Sequence, residues 1–557
     1  MTVHVRPCQD APAPGAGELL LDVRGLRIAF DGAPAGAPPV ADGLDLSLRR
    51  GRVLAIVGES GSGKSVSARS LLGLAGAGAR VAAERFDVLG RDARGFGEAD
   101  WRRLRGRRIG LVLQDALTSL DPMRTIGAEV SEALDAADGS WWPRRREAGE
   151  IETLLASVGI RDPGLKRRQY AHQLSGGQRQ RALIASAIAG DPDVIIADEP
   201  TTALDVTIQA RILQLLKEKV GGGRGLILIS HDFAVVADIA DDVIVLNRGR
   251  MVEAGPARDV LYRPQRDYTR QLIAAIPGLE SRGKRLSALP RPTAEATPVA
   301  IDAGPTVVRA EGLVKWYRGE GGREFKAVDG VSFTIRAREI VGLVGESGSG
   351  KSTVAKLVTG LLTPDDGAIS IYGAPWPGET KAARRAGVGT VQLIGQDSLG
   401  SFDPRYTVRE VVAESVALVQ RDRGSREKRI RELLDLVQLP AGTIDRHPRE
   451  LSGGQRQRVS IARALGSNPK VLVCDEPVSA LDVSVQAQIL DLFVDIRSFY
   501  SASFLFISHD IGVINHLCNK TIVMLSGKIV DQGPSESLFG TSTVDYTRQL
   551  MQAVPHL

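Results

Sequence analysis

Short apolar runs alternate with stretches of helical period through both halves of the chain. Val53–Val57 reads as a buried strand, followed by a Gly-rich turn and a helical pattern. Val194–Ala197 and Gly225–Ile229 are further strands, with counterparts at Ile340–Val344, Val471–Cys474 and Ser503–Ile507. Such alternation predicts an α/β fold built on mainly parallel sheets. No apolar run approaches the ~18 residues that a membrane-spanning helix needs. Residues 1–17 mix charge, Pro and Gly without an apolar h-region, so a flexible N-terminus and no secretory signal are expected.

The same words recur in both halves. GESGSGKS occupies Gly58–Ser65 and Gly345–Ser352; LSGGQRQR occupies Leu174–Arg181 and Leu451–Arg458. DEP, ISHD and DYTRQL also occur twice, in the same order. The repeat predicts two homologous domains, residues 18–285 and 306–557. Residues 286–305, with four prolines and little apolar content, read as an extended linker.

Composition adds limits. Apolar residues are 43% and charged residues 25% of 557, which is ordinary for a globular protein. A net charge of +5 over this length is nearly neutral, and the basic runs, such as Arg102–Arg108, read as solvated helix faces. Aromatics are 4%, too sparse for base-stacking platforms, and no nucleic-acid partner is expected. Cys8, Cys474 and Cys518 are too few and scattered for a disulfide framework, so a reducing cytoplasm is the expected compartment.

Each GESGSGKS fits G-x4-G-K-[ST] between a strand and a helix. Glycines there let backbone N–H groups wrap a polyphosphate. The candidate cradle is Gly58, Ser60, Gly61, Ser62, Gly63, Lys64 and Ser65 in the first half. In the second it is Gly345, Ser347, Gly348, Ser349, Gly350, Lys351, Ser352 and Thr353. The lysine can reach the outer phosphates, and the serine hydroxyl can ligate Mg²⁺. Asp198 and Asp475 end apolar strands and can hold the same metal; Glu199 and Glu476 follow and can polarise an attacking water. His231 and His509 follow β-type runs, 32 and 33 residues after those glutamates, where they could sense a γ-phosphate.

These motifs, in this order, resemble the nucleotide-binding domains of ABC ATPases, twice over. The resemblance implies two tandem P-loop domains, each a RecA-like core with an antiparallel β-subdomain and a helical subdomain carrying LSGGQ. It places the Q-loop glutamine, also near the metal, at Gln114 and Gln396, and the D-loop aspartate at Asp205 and Asp482. Phe30 and Tyr317, each 34 residues before its lysine, match the adenine-stacking aromatic. It also implies head-to-tail sites for ATP and Mg²⁺. Ser452, Gly453 and Gly454 would complete the first site, and Ser175, Gly176 and Gly177 the second. Both sites are expected to hydrolyse ATP.

QDxxxSLDP, ADEPTTALDVT and the YTRQL tails are similar to ATPases of oligopeptide, dipeptide and nickel importers, here fused. That likeness implies two transmembrane permease subunits and an extracytoplasmic substrate-binding protein, with the chain peripheral on the cytoplasmic face of the membrane. The permeases would push on Gln114–Arg124 and Gln396–Arg405. Some relatives carry an iron–sulfur cluster, but residues 259–305 contain no cysteine, so none is expected. The alternative is a soluble twin ATPase acting on ribosomes or DNA.

Overall fold

The computed structural model describes residues 17–552, apart from 33–35, 115–118, 138–146, 202–205, 288–303, 319–323, 379, 381–386 and 480. The chain forms two compact units, and the main break falls between Arg270 and Gln271. Residues 271–287 therefore group with the second unit.

The first unit opens with an antiparallel sheet. Its order is β2 (Ala41–Arg49), β1 (Leu19–Phe30), β5 (Arg85–Val88) and β6 (Arg91–Asp92), and β4 (Ala79–Ala82) also pairs with β1. Beside it lies a six-stranded sheet. The order is β11 (Arg250–Pro256), β10 (Asp242–Asn247), β3 (Val53–Gly58), β9 (Gly225–Ile229), β8 (Val194–Asp198) and β7 (Ile109–Val112). Strands β10, β3, β9, β8 and β7 run parallel, and β11 is an antiparallel edge. Every residue of β3, β8 and β9 is buried. Continuous apolar strands follow from a sheet covered on both faces. Leu21, Ile28, Leu46, Ile56, Leu72 and Ile227 share one core cluster that joins the two sheets.

The second unit repeats this plan. Its antiparallel sheet is β13 (Glu324–Arg336), β12 (Thr306–Arg318), β15 (Asp366–Ile371) and β16 (Ala374–Trp376). Its six-stranded sheet is β17 (Val391–Ile394), β18 (Val471–Asp475), β19 (Ser503–Ile507), β14 (Ile340–Val344), β20 (Lys520–Leu525) and β21 (Lys528–Pro534). All six predicted core strands are present, with ends within one residue of expectation.

This strand order fixes where chemistry can occur. In a parallel sheet, ligands bind beyond the carboxyl ends of the strands. In the first unit, β3 leads into the Gly-rich loop, neighbouring β9 into His231, and the next strand, β8, into Glu199. In the second, β14, β19 and β18 do the same for Lys351, His509 and Glu476.

Helices follow the loops. Helix α1 (Lys64–Ser70) and its counterpart α5 (Lys351–Val358) begin at the P-loop lysines. The LSGGQ words start α2 (Gly176–Ile188) and α6 (Gly453–Gly466). Helices α3 (Val206–Gly221) and α7 (Val483–Tyr500) follow the carboxylate strands; α4 (Phe233–Ile239) and α8 (Ile511–Leu517) follow the histidines. Among the described residues, no helix is long and apolar enough to cross a membrane.

Candidate functional site

The P-loop glycines are required by geometry. Gly58 has φ 147°, and a Cβ there would sit 2.2 Å from the Leu246 carbonyl oxygen. Gly345 has φ 150° and would meet the Met524 carbonyl at the same distance. Lys64 Nζ donates to the carbonyls of Gly58 at 2.7 Å and Glu59 at 2.8 Å, which curls the side chain over the loop. Lys351 does likewise to Gly345 at 2.8 Å and Glu346 at 2.7 Å. The hydroxyls of Ser62 and Ser349 are buried without a hydrogen-bond partner. Ser60, Gly61, Ser347 and Gly348 lie exposed at the rim.

The serine–aspartate pairs form in both units. Ser65 Oγ donates to Asp198 Oδ1 at 2.9 Å, and Ser352 Oγ to Asp475 Oδ1 at 3.4 Å. Burial pushes both carboxyls up from their ordinary range; the serine bonds oppose it. Hydroxyl plus carboxylate is a hard oxygen donor set that suits Mg²⁺. The unpartnered hydroxyls nearby and the loop's close backbone fit a phosphate-bearing ligand.

Glu199 and Glu476 both sit at φ 50°, in the left-handed region. That conformation costs a non-glycine residue about 1–3 kcal/mol and tends to occur at functional sites. It is held by the backbone: Glu199 N donates to Ile229 O and Glu476 N to Ile507 O, each at 3.0 Å. The turned glutamates meet two partners. His231 Nδ1 lies 3.4 Å from Glu199 Oε1, and His509 Nδ1 lies 3.4 Å from Glu476 Oε1. Gln114 Nε2 donates to Glu199 at 2.9 Å, and Gln396 Nε2 to Glu476 at 3.0 Å. Burial alone would lower the histidines, but the glutamates, together with Asp232 and Asp510, outweigh it and raise both. Burial alone would raise Glu476, but His509 outweighs it and holds it low.

Ser175 and Ser452 are N-caps of α2 and α6, and Gly176, Gly177, Gly453 and Gly454 form the first turns. Asp482 caps α7, accepting from Val485 N at 3.2 Å; Asp205 lies outside the described residues. Phe30 is half-buried at the edge of the first unit's core. Tyr317 stacks on Phe325 with centroids 6.1 Å apart, beside a cavity of about 300 Å³ lined also by Trp316 and Asp365. Thr353 is half-buried on α5. Cys474 and Cys518 are buried free thiols.

Two features escaped the sequence reading. The glutamine of LSGGQ closes a capping box: Ser175 Oγ accepts from Gln178 N at 3.3 Å, and Gln178 Oε1 accepts from Ser175 N at 3.2 Å. Ser452 and Gln455 repeat it. The S-x-x-Q spacing carried that signal. In the second unit, Arg463 of α6 also donates to the Ser401 carbonyl at 2.7 Å, tying the signature helix to the segment after Gln396.

Comparison with known proteins identifies the family. The ABC transporter family model matches residues 41–202 and 328–479. The oligopeptide transport ATP-binding protein OppD of Mycobacterium tuberculosis is 38% identical over 96% of this chain and 98% of its own. This chain belongs to the ABC transporter ATPase family. The glutathione import ATP-binding protein GsiA of Escherichia coli strain K12 is 40% identical over 96% of this chain and 89% of its own. A model of the oligopeptide/dipeptide transporter C-terminal region matches residues 252–303 of this ABC ATPase. Among solved structures, an archaeal ribosome recycling factor bound to a ribosomal stalk protein aligns with TM-score 0.62 and 20% identity. That alignment covers 95% of this chain and 99% of the other. At that identity the likeness concerns the ABC fold alone. ABC ATPase domains bind and hydrolyse ATP, and this chain carries two.

Proposed function

We propose that the chain is the ATP-hydrolysing subunit of a binding-protein-dependent importer of peptides or a related small solute. The observation that carries this is the oligopeptide/dipeptide transporter C-terminal region joined to tandem ABC domains on one chain. Relatives named for oligopeptide and for glutathione transport share this organisation, so the solute class stays broad.

In each site, loop amides and the P-loop lysine hold the ATP phosphates. To do so, Lys64 and Lys351 exchange their carbonyl bonds for phosphate oxygens. Ser65 with Asp198, and Ser352 with Asp475, would hold Mg²⁺, assisted by Gln114 and Gln396. Bound there, Mg²⁺ neutralises charge on the phosphates. Glu199 and Glu476 orient and polarise the attacking water. His231 and His509 hold those carboxylates from one side and donate toward the γ-phosphate. Ser175–Gly177 and Ser452–Gly454 complete the sites head to tail, presenting helix N-termini to the phosphate. Phe30 and Tyr317 stack on adenine, and Asp205 and Asp482 serve as the D-loop aspartates.

The partners follow from the same reading: two transmembrane permeases bear on Gln114–Arg124 and Gln396–Arg405, an external binding protein delivers solute, and the ATPase sits peripherally on the cytoplasmic face. The test is a pull-down of tagged protein from solubilised membranes with mass spectrometry. Recovery of two multi-spanning permeases with a binding protein supports the importer. Ribosomal or DNA-repair proteins without a membrane partner would overturn it and leave the ATPase chemistry standing.

A further inference from the structure

Residues 275–287 lie across the second unit. Ala275 and Leu286 are buried in its core cluster. Leu286 N and Ser287 N donate to the Asp491 carboxylate at 3.1 and 2.9 Å, and Ser287 Oγ donates to it at 2.6 Å. Arg285 donates to Asp495 at 3.1 Å. Both aspartates lie on α7 and are 2% and 1% exposed. Buried carboxylates are costly unless paired, so this face of α7 is built to take a partner.

The same segment reaches α8. Ser281 Oγ lies 2.9 Å from His516 Nδ1, and Arg282 donates to the Asn515 carbonyl at 3.1 Å. A Cβ on Gly512 would sit 2.6 Å from the Pro277 carbonyl oxygen, so glycine permits the approach.

The first half differs at every one of these positions. Its counterparts of Asp491, Asp495, Gly512, Asn515 and His516 are Gln214, Glu218, Ala234, Ala237 and Asp238. Gln214 and Glu218 are exposed, and Asp238 pairs with Lys217 at 2.9 Å. A cavity of about 780 Å³ lined by Ala237, Ala240 and Tyr262 lies on the corresponding face.

Helix α8 begins at its N-cap, Asp510, immediately after His509. We infer that residues 277–287 form a strap that positions His509, and so tunes the second ATP site alone. This rests on the reading of His509 as a γ-phosphate-sensing residue. Arg285, Ser287, Asp491 and Asp495 are positioning residues; none touches the reacting groups.

The test is a double-mutant cycle on the full chain. Arg285→Ala with Ser287→Ala alters only the strap, and is combined separately with His509→Ala and His231→Ala. ATPase kcat should fall in the wild type, by about fivefold in the His231→Ala background, where the second site carries the turnover, and no further with His509→Ala, with KM for ATP little changed. Arg285→Lys should restore most of the loss. An equal drop in both histidine backgrounds, or none in the wild type, overturns the strap. Hydrogen exchange at the α8 amides, read without ATP, should speed up in the strap variant; unchanged protection overturns the proposal whatever the kinetics. If His509→Ala leaves turnover intact while exchange still rises, the reading of His509 has failed and the inference falls with it.

Discussion

Gln114 donates its side-chain amide to Glu199 at 2.9 Å, and Gln396 does so to Glu476 at 3.0 Å. Each bond joins the carboxylate assigned to the water to the segment assigned to the permeases. Gln114→Ala and Gln396→Ala should therefore lower stimulation by reconstituted permeases more than they lower basal ATPase. An equal fall in both quantities would show that the glutamines serve chemistry only.

Glu199→Gln and Glu476→Gln, made separately, should each cut turnover at the altered site by about 10²-fold or more, the usual share of a general base. ATP affinity should be retained, because the carboxamide keeps the shape. If one variant kept full activity while the other abolished it, only one site would be hydrolytic.

Gly58→Ala and Gly345→Ala place a methyl 2.2 Å from a backbone carbonyl, at a backbone conformation that L residues avoid. The strain alone should cost about 1–3 kcal/mol, and the displaced loop should weaken nucleotide binding. Thermal unfolding with and without ATP checks both effects: the variant should melt lower and gain less from ATP.

His516 gives the second unit a pH dependence. Burial depresses its imidazole; Asp491 opposes this and Arg282 adds to it. The folded state then binds its proton more weakly than the unfolded chain. Stability is unaffected above about pH 6.5 and falls as pH drops below it, because unfolding takes up a proton. Melting of wild type and His516→Gln at pH 7.5 and 5.5 tests the sign: wild type should lose more on acidification.

The core strands were legible because a strand buried on both faces must be apolar throughout, as Gly225–Ile229 is. The phosphate loops were legible because close backbone approach leaves only glycine at positions such as Gly58. Other features were hidden by distance along the chain. Arg285 meets Asp495 across 210 residues, and no local period marks such a pairing. The left-handed φ of Glu199 was hidden too, since it depends on a bond to the neighbouring strand at Ile229.

By itself, then, the sequence determined the duplication, the α/β plan and the chemistry of each half. These rest on short-range rules: apolar runs, glycine-dependent turns, and residues a fixed distance beyond a strand. Only the tertiary structure decided which side chains share a carboxylate. It also decided that Gln178 and Gln455 cap their own helices, and that residues 275–287 pack with the second unit. Those outcomes depend on desolvated polar groups finding partners from remote segments, a condition that the packed fold alone can satisfy.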